Sequence, residues 1–144
     1  MSDIDCWIDG SCGTLCSGIG YEITGDVEAS GYRIIDDNIT SMEAELHALL
    51  EAVRIASQES DDGSSITVYT DCRPLKRKVT ASYDERVDWN EYRKSAQWLL
   101  DKFESWNVVH CSRTRTKQAH DLARLGLQKG REERKSSSHG MTGD

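Results

Sequence analysis

The hydrophobic residues of this chain change their spacing near residue 40, and that change limits the fold more than any other feature of the sequence. Before it, apolar residues recur at every second position, which is typical of half-buried strands separated by turns. Three strands are predicted there, at 4–9, 19–23 and 32–35. After it, apolar residues recur with the spacing of one helix face, as Leu46, Leu49, Leu50 and Val53. A sheet with at least one helix packed on it is therefore predicted.

The rest of the chain alternates helices with strands. The sequence 40–43, Thr-Ser-Met-Glu, fits a capping box and places the start of the first helix near residue 41. The later predicted elements are a strand at 66–70, a short helix at 73–79, a longer helix at 89–106, a strand at 107–111 and a final helix at 117–129. The predicted fold class is α/β, with an antiparallel meander of three strands followed by crossover units.

The length and composition fit one domain. A chain of 144 residues can bury a single hydrophobic core, and no run of 18 apolar residues is present to span a membrane. We predict a domain at 1–135 and a disordered Ser- and Gly-containing tail at 136–144. The N-terminus has no basic or apolar signal region, and the five cysteines are odd in number, so we expect a reducing, cytoplasmic location.

Charge is distributed unevenly along the chain, whose formal net charge is −7. Residues 1–62 carry 14 acidic and two basic side chains, whereas residues 107–144 carry eight basic and four acidic ones. The whole-chain charge excludes a simple cationic nucleic-acid binder. It leaves open a local basic surface in the C-terminal part of the chain.

Three carboxylates are expected to meet at one edge of the predicted sheet. Asp9 and Asp71 each end a strand, and the carboxyl ends of neighbouring parallel strands lie at the same edge. Glu45 lies in the first turn of the first helix, at the border of its buried face. Converging carboxylates repel one another, and all-oxygen ligands suit Mg²⁺ or Mn²⁺. The alternative is structural: Asp9 caps a turn, and Glu45 favours its helix N-terminus.

Four short motifs resemble those of the ribonuclease H family, in the same order and at similar separations. They are Ile8-Asp9-Gly10-Ser11-Cys12, Ala44-Glu45-Leu46-His47-Ala48-Leu49, Tyr69-Thr70-Asp71-Cys72 and Ala119-His120-Asp121-Leu122-Ala123. Each motif alone is weak, but four in order on the predicted elements are specific, and the resemblance covers roughly residues 3–127. The similarity is greatest to the short type 1 ribonucleases H of archaea and bacteria and to the related reverse-transcriptase-like group.

The resemblance implies a ribonuclease H-like fold, a five-stranded mixed sheet with strands 1–3 antiparallel and strands 4 and 5 parallel, flanked by helices. It also implies metal-dependent cleavage of the RNA strand of RNA/DNA hybrids, leaving 3′-hydroxyl and 5′-phosphate ends. Asp9, Glu45 and Asp71 would bind two Mg²⁺ or Mn²⁺ ions, one activating water and the other stabilising the leaving oxygen. We expect a monomer whose partner is the hybrid and which does not bind membranes.

The chain departs from the family pattern at its fourth acid, which by motif register falls on His120. Neighbouring helix positions point about 100° apart, so Asp121 replaces that acid only if the helix rotates or shifts. We predict His120 as a catalytic residue and metal ligand, with a proton shuttle or a half-exposed helix histidine as alternatives. The segment 112–116 lacks the histidine that larger members carry before the last helix, which favours weak or Mn²⁺-dependent activity.

Substrate contacts are predicted on both sides of the carboxylates. The backbone groups of Gly10, Ser11 and Cys12 are candidates for contacts to RNA. The cationic candidates for phosphate contacts are Arg73, Arg113 and Arg115. The alternative, both for Arg73 after Asp71 and for the arginines before the last helix, is a solvated charged face. Two other functions remain open: a catalytically silent nucleic-acid-binding module, or another nuclease on the same fold.

Overall fold

The computed structural model describes residues 3–61, 63–80 and 90–142. Its strands are β1 (Asp3–Cys12), β2 (Ser17–Gly25), β3 (Ala29–Ile35), β4 (Ser65–Thr70) and β5 (Ser105–His110). Its helices are α1 (Ser41–Glu59), α2 (Arg73–Thr80), α3 (Asn90–Leu100) and α4 (Lys117–Thr142). Among the described residues, none of the helices combines the length and apolar character needed to cross a membrane.

One five-stranded sheet carries the whole architecture, in the order β3-β2-β1-β4-β5. The pairs β1–β2 and β2–β3 are antiparallel, whereas β1–β4 and β4–β5 are parallel. The predicted fold class is therefore confirmed. Because β1 and β4 are parallel neighbours, their carboxyl ends lie side by side, as the metal-site hypothesis requires.

The core lies between one face of the sheet and α1. Ile4, Cys6 and Ile8 alternate along β1 toward this face and are at most 1% exposed, and Leu46 and Leu49 of α1 meet them in the same cluster. The predicted capping box is present at the start of α1. The Glu43 N–H donates to the Thr40 hydroxyl (3.2 Å), and the Thr40 N–H donates to the Glu43 carboxylate (3.1 Å).

The opposite face of the sheet is covered on the β2 side by α4. Glycine makes this close approach possible: a Cβ on Gly20 would lie 2.1 Å from the Ala119 carbonyl oxygen, and one on Gly18 would lie 2.2 Å from that of Ala123. Such contacts leave no room for a side chain. The first turn of α4 is thereby held against β2, beside Asp9 of β1.

The predicted helix at 89–106 is too long at its C-terminal end. The structure ends α3 at Leu100 and begins β5 at Ser105, so Trp106 lies in a strand and pairs with Ile66. The N–H groups of Lys102 and Phe103 bond three residues back, which closes a tight turn where an α-helix would bond four back. Residue 89, the predicted start, lies outside the described residues.

The final helix is longer than the predicted 117–129. Its backbone continues to Thr142, in place of the predicted disordered tail at 136–144, of which 143 and 144 lie outside the described residues. Strong helix formers at 131–135 outweigh the cost of Gly130, and an ion pair between Lys129 and Glu132 (3.7 Å) supports the helix beyond the predicted end.

Candidate metal centre

The structure brings three carboxylates together at the carboxyl ends of β1 and β4. Asp9 is on β1, and Asp71 directly follows β4. Glu45 is on the second turn of α1 and not on the predicted first turn, because the helix begins at Ser41. One carboxylate oxygen from each lies within 4.8 Å of the others. Asp9 is 1% and Glu45 is 5% exposed, so two of the three charged groups are almost completely removed from water.

Glu45 is held between β1 and β4 by hydrogen bonds to both of its oxygens. The Gly10 N–H donates to Oε1 (3.1 Å), and the Thr70 hydroxyl donates to Oε2 (3.1 Å). The Thr70 hydroxyl also accepts the Cys72 N–H (3.0 Å). A Cβ on Gly10 would lie 2.6 Å from the Ala44 Cβ, so the close contact of α1 with β1 depends on glycine at this position. These contacts connect α1, β1 and β4 to one another at Glu45.

The electrostatics of the cluster are unfavourable without a cation. Burial raises the pKa of Glu45 well above its ordinary value of 4.5, and the hydrogen bond and negative charge of Asp9 and then the charge of Asp71 raise it further. The Gly10 N–H offsets these effects only in part. A divalent cation would remove the repulsion that raises this pKa.

The donor set fits Mg²⁺ or Mn²⁺. Both ions prefer oxygen ligands, and opposite oxygens of an octahedral Mg²⁺ site lie about 4 Å apart, since each is about 2.1 Å from the ion. The oxygens of the three carboxylates lie within 4.8 Å of one another, which is the size of such a ligand shell. Asp9, Glu45 and Asp71 are therefore the residues that would hold such an ion.

His120, in the first turn of α4, reaches the cluster. Its Nδ1 lies 2.5 Å from Oδ2 of Asp9, and its side chain is 23% exposed. Asp121 points elsewhere: its side chain is 60% exposed, and it forms an ion pair with Lys117 (3.7 Å). Of the two residues considered for the fourth position, the structure places His120 at the carboxylates and Asp121 away from them.

Arg113 is the second basic side chain at the cluster. Its Nε donates to Oδ2 of Asp71 (2.9 Å), and this bond, together with the charge of Asp71, raises the pKa of the guanidinium. The turn that carries Arg113 is joined to β4 through the Cys111 N–H, which donates to the Thr70 carbonyl (2.9 Å). Each of the two aspartates therefore has a basic partner from the segment that follows β5.

The other predicted contact residues lie around the cluster in different ways. Gly10 uses its N–H for Glu45, so that group is not available to a substrate. Ser11 and Cys12 are partly buried at the end of β1, where they pair with Gly18 and Ser17.

Of the remaining predicted phosphate contacts, Arg73 is exposed at the start of α2. Among the described residues, no hydrogen bond or ion pair joins it to the three carboxylates. Arg115 lies over the ring of Tyr69, 4.9 Å from its centre.

Two features of the site were not singled out from the sequence. One is the pair of hydrogen bonds made by Thr70. The other is a stack on the α4 face of the sheet, in which the rings of Trp7 and Tyr69 lie 5.0 Å apart and Arg115 lies over the Tyr69 ring. The sequence positions could have indicated the stack. Trp7 and Tyr69 precede Asp9 and Asp71 by two residues, and residues two apart in a strand face the same side.

The sheet order and the carboxylate cluster at its two central strands define a ribonuclease H-like protein. A family model described as reverse transcriptase-like matches residues 9–126, and the chain belongs to this family. The resemblance to ribonuclease H found in the sequence is thereby confirmed. A comparison with curated protein sequences finds no significant match.

Solved structures share this fold at low sequence identity. Ribonuclease H1 from the halophilic archaeon Halobacterium salinarum is similar with 24% identity and a TM-score of 0.78, over 88% of this chain and 98% of that one. The N-terminal ribonuclease H domain of Rv2228c from Mycobacterium tuberculosis has 16% identity and a TM-score of 0.81, over 92% and 99%. LC11 ribonuclease H1, solved in complex with an RNA/DNA hybrid, has 20% identity and a TM-score of 0.68, over 88% and 97%.

Proposed function

We propose that this protein is a metal-dependent endonuclease that hydrolyses the RNA strand of RNA/DNA hybrids by a two-metal mechanism, leaving 3′-hydroxyl and 5′-phosphate ends. The observation that carries the proposal is the cluster of Asp9, Glu45 and Asp71, whose oxygens lie within 4.8 Å of one another at the edge of the sheet. A ribonuclease H1 with this fold has been solved with a hybrid bound, which supports the choice of substrate.

The three carboxylates would hold two Mg²⁺ or Mn²⁺ ions, which would activate the attacking water and stabilise the leaving oxygen. Glu45 is fixed by β1 and β4 through Gly10 and Thr70, so it needs little reorganisation to bind a cation. Asp71 lies at the rim of the cluster and is more accessible than Asp9. The site is therefore open on the side from which a phosphodiester would approach.

His120 and Arg113 have different roles in this proposal. His120 would act as the fourth ligand of the metal site, because its ring already contacts Asp9. Arg113 is exposed and carries a permanent charge, so it would neutralise the phosphate next to the scissile bond after releasing Asp71. Arg115, held over Tyr69, lies on the same segment and would contact a neighbouring phosphate.

The test is a cleavage assay with a hybrid whose RNA strand is labelled at one end, with Mg²⁺ and Mn²⁺ in parallel. The proposal predicts internal cuts in the RNA strand with either ion and none in the presence of a chelator. Duplex DNA and duplex RNA of the same sequence are the controls and should stay intact. A protein that leaves the hybrid uncut with both ions would contradict the proposal.

A second candidate function, a catalytically silent nucleic-acid-binding module, rests on the basic partners of the two aspartates. Arg113 forms an ion pair with Asp71, so the chain itself partly neutralises the cluster, and the His120 ring occupies one oxygen of Asp9. Hybrid binding that is unchanged by a chelator, without any cleavage, would favour this candidate.

For the first function, metal-dependent cleavage of hybrids, we further propose that the protein is a monomer and is located in the cytoplasm.

A further inference from the structure

The flank of α4 that carries His120 also carries arginines. At 100° per residue, Arg124 lies about 40° and Arg131 about 20° from the direction of His120 around the helix axis. Both arginines are exposed, as is Gln128 between them. Arg131 is 11 residues beyond His120, which is about 16 Å along the helix. We call Arg124, Gln128 and Arg131 the α4 flank.

The arginines of the α4 flank differ from three other cations of this helix, which form ion pairs. Lys117 pairs with Asp121, Lys129 pairs with Glu132, and Arg134 pairs with Asp36. Within the described part of the chain, neither Arg124 nor Arg131 forms an ion pair with a carboxylate. Their charges are therefore available to an anion from outside the molecule.

A groove lies along the α4 flank, and the far end of this flank comes near the hairpin of β1 and β2. The groove has a volume of about 600 Å³ and is lined by Asp121, Arg124, Leu125, Leu127, Gln128 and Arg131. A terminal nitrogen of Arg131 lies 3.5 Å from the position a Cβ would take on Gly13, in the turn between β1 and β2. The groove thus follows α4 from the turn after His120 to Arg131, which lies near the end of this hairpin.

We propose that the α4 flank binds the phosphate backbone of a nucleic-acid duplex that leaves the metal centre, so that the protein grips its substrate beyond the scissile bond. The proposal rests on the proposed function for the identity of the duplex, an RNA/DNA hybrid. Charge complementarity and continuity with the metal centre support this occupant. Over about 16 Å one strand of a duplex carries about five phosphates, enough to meet both arginines.

The test compares R124Q/R131Q with the unmodified protein in binding a fluorescent hybrid over a salt series, in a chelating buffer that prevents cleavage. Each phosphate contact contributes about 0.9 to the slope of log affinity against log salt, so the double variant should lose roughly 1 to 2 from that slope. Its affinity at low salt should fall roughly tenfold. If the double variant has the same slope and affinity as the unmodified protein, the proposal is overturned. Binding of an acidic protein segment to the α4 flank would not rescue it.

Lys129→Gln provides the matched control. Lys129 lies on α4 about 180° from His120 and is 49% exposed on its side chain, so its loss removes one positive charge from the opposite flank. This variant should keep the unmodified slope. An equal loss in K129Q would show a general charge effect and would also contradict the proposal.

Cleavage measurements separate this proposal from the proposed function. A short hybrid that covers only the metal centre should be cleaved with the same kcat/KM by R124Q/R131Q and the unmodified protein, whereas a long hybrid should show a higher KM in the variant. If the unmodified protein cleaves neither hybrid, the proposed function fails, and the binding slopes still decide whether the α4 flank holds a duplex.

Discussion

The core beneath α1 and the carboxylate cluster are built from adjacent residues with opposite energetics. Ile8 and Leu46 are fully buried in the core, whereas their neighbours Asp9 and Glu45 are buried in the cluster. Burying the apolar side chains stabilises the fold, by roughly 1.5–3 kcal/mol for each. Burying the carboxylates beside one another opposes folding, as the raised pKa of Glu45 shows.

The difference shows how the fold maintains an unfavourable site. Strand alternation sends Ile8 to one face of the sheet and Asp9 to the other, so the core fixes the backbone that carries the carboxylate. The apolar core residues stabilise the fold, and the backbone that they fix holds the carboxylates in the metal-binding geometry. Substitutions in the two regions should therefore change stability and activity in different combinations.

The largest effect is expected from Asp9→Asn. It removes a charged ligand from the cluster, and hybrid cleavage should fall about 10³-fold or more while the protein remains folded. The measurement is initial cleavage rate with saturating Mn²⁺, together with a circular dichroism melt. Asp121→Asn is the matched control, because Asp121 is exposed and points away from the cluster. A D9N variant with near-normal activity would contradict the assignment of Asp9.

In the core, Leu49→Ala should cost about 2–5 kcal/mol of stability, because Leu49 is fully buried in α1. Below its melting temperature the variant should still cleave hybrid, since the carboxylates are unchanged. Denaturant unfolding measures the loss. Leu50→Ala, at a half-buried position of the same helix, should cost clearly less. Equal losses at the two positions would show that the core does not lie where the structure places it.

Gly10→Ala should affect both regions at once. The new methyl group would meet the Ala44 Cβ at 2.6 Å and the Glu45 N at 2.9 Å, so α1 must move away from β1. We expect a loss of about 1–3 kcal/mol and a clear fall in cleavage rate, because Glu45 moves with the helix. Unfolding and cleavage measured on one preparation would check this. A variant that loses neither would show that the contact between α1 and β1 is looser than described.

The smallest expected effect is a pH-dependent gain in stability from Glu45→Gln without metal. Because the pKa of Glu45 is raised in the folded state, the folded protein binds more protons than the unfolded chain above pH 4.5. The free energy of unfolding is therefore highest, as far as Glu45 is concerned, at low pH. It falls as the pH rises through the raised pKa of this group.

In metal-free thermal melts, the gain of E45Q over the unmodified protein should accordingly grow with pH and then level off. Glu59→Gln, at an exposed position on the same helix, should show no such trend. A gain that shrinks as the pH rises would reverse the sign that the cluster requires.

Sequence reasoning was most successful where pattern and position agree. The three meander strands, the capping box and the two strand-end aspartates follow from local periodicity and from the parallel pairing of β1 and β4. It failed at the end of α3, because the turn after Leu100 depends on β5 joining the sheet at Ser105. It also left the fourth position open, which depends on how α4 lies on the glycines of β2.

The details of the cluster lay beyond sequence reasoning for a similar reason. That the Gly10 N–H is directed to Glu45, and that Arg113 contacts Asp71, are results of tertiary packing between distant segments. A motif places a residue on a helix or strand, but it does not specify which neighbouring residue forms a hydrogen bond with each of its donors and acceptors.

The most direct test of the metal centre is the thermal stability of the unmodified protein and D9N at increasing Mn²⁺ and Mg²⁺. A ligand that binds only the folded state raises stability with its concentration, and a bound cation also removes the repulsion among the carboxylates. The account predicts a melting temperature that rises with either ion in the unmodified protein and changes little in D9N. An unmodified protein that does not respond, or a D9N variant that responds equally, would contradict it.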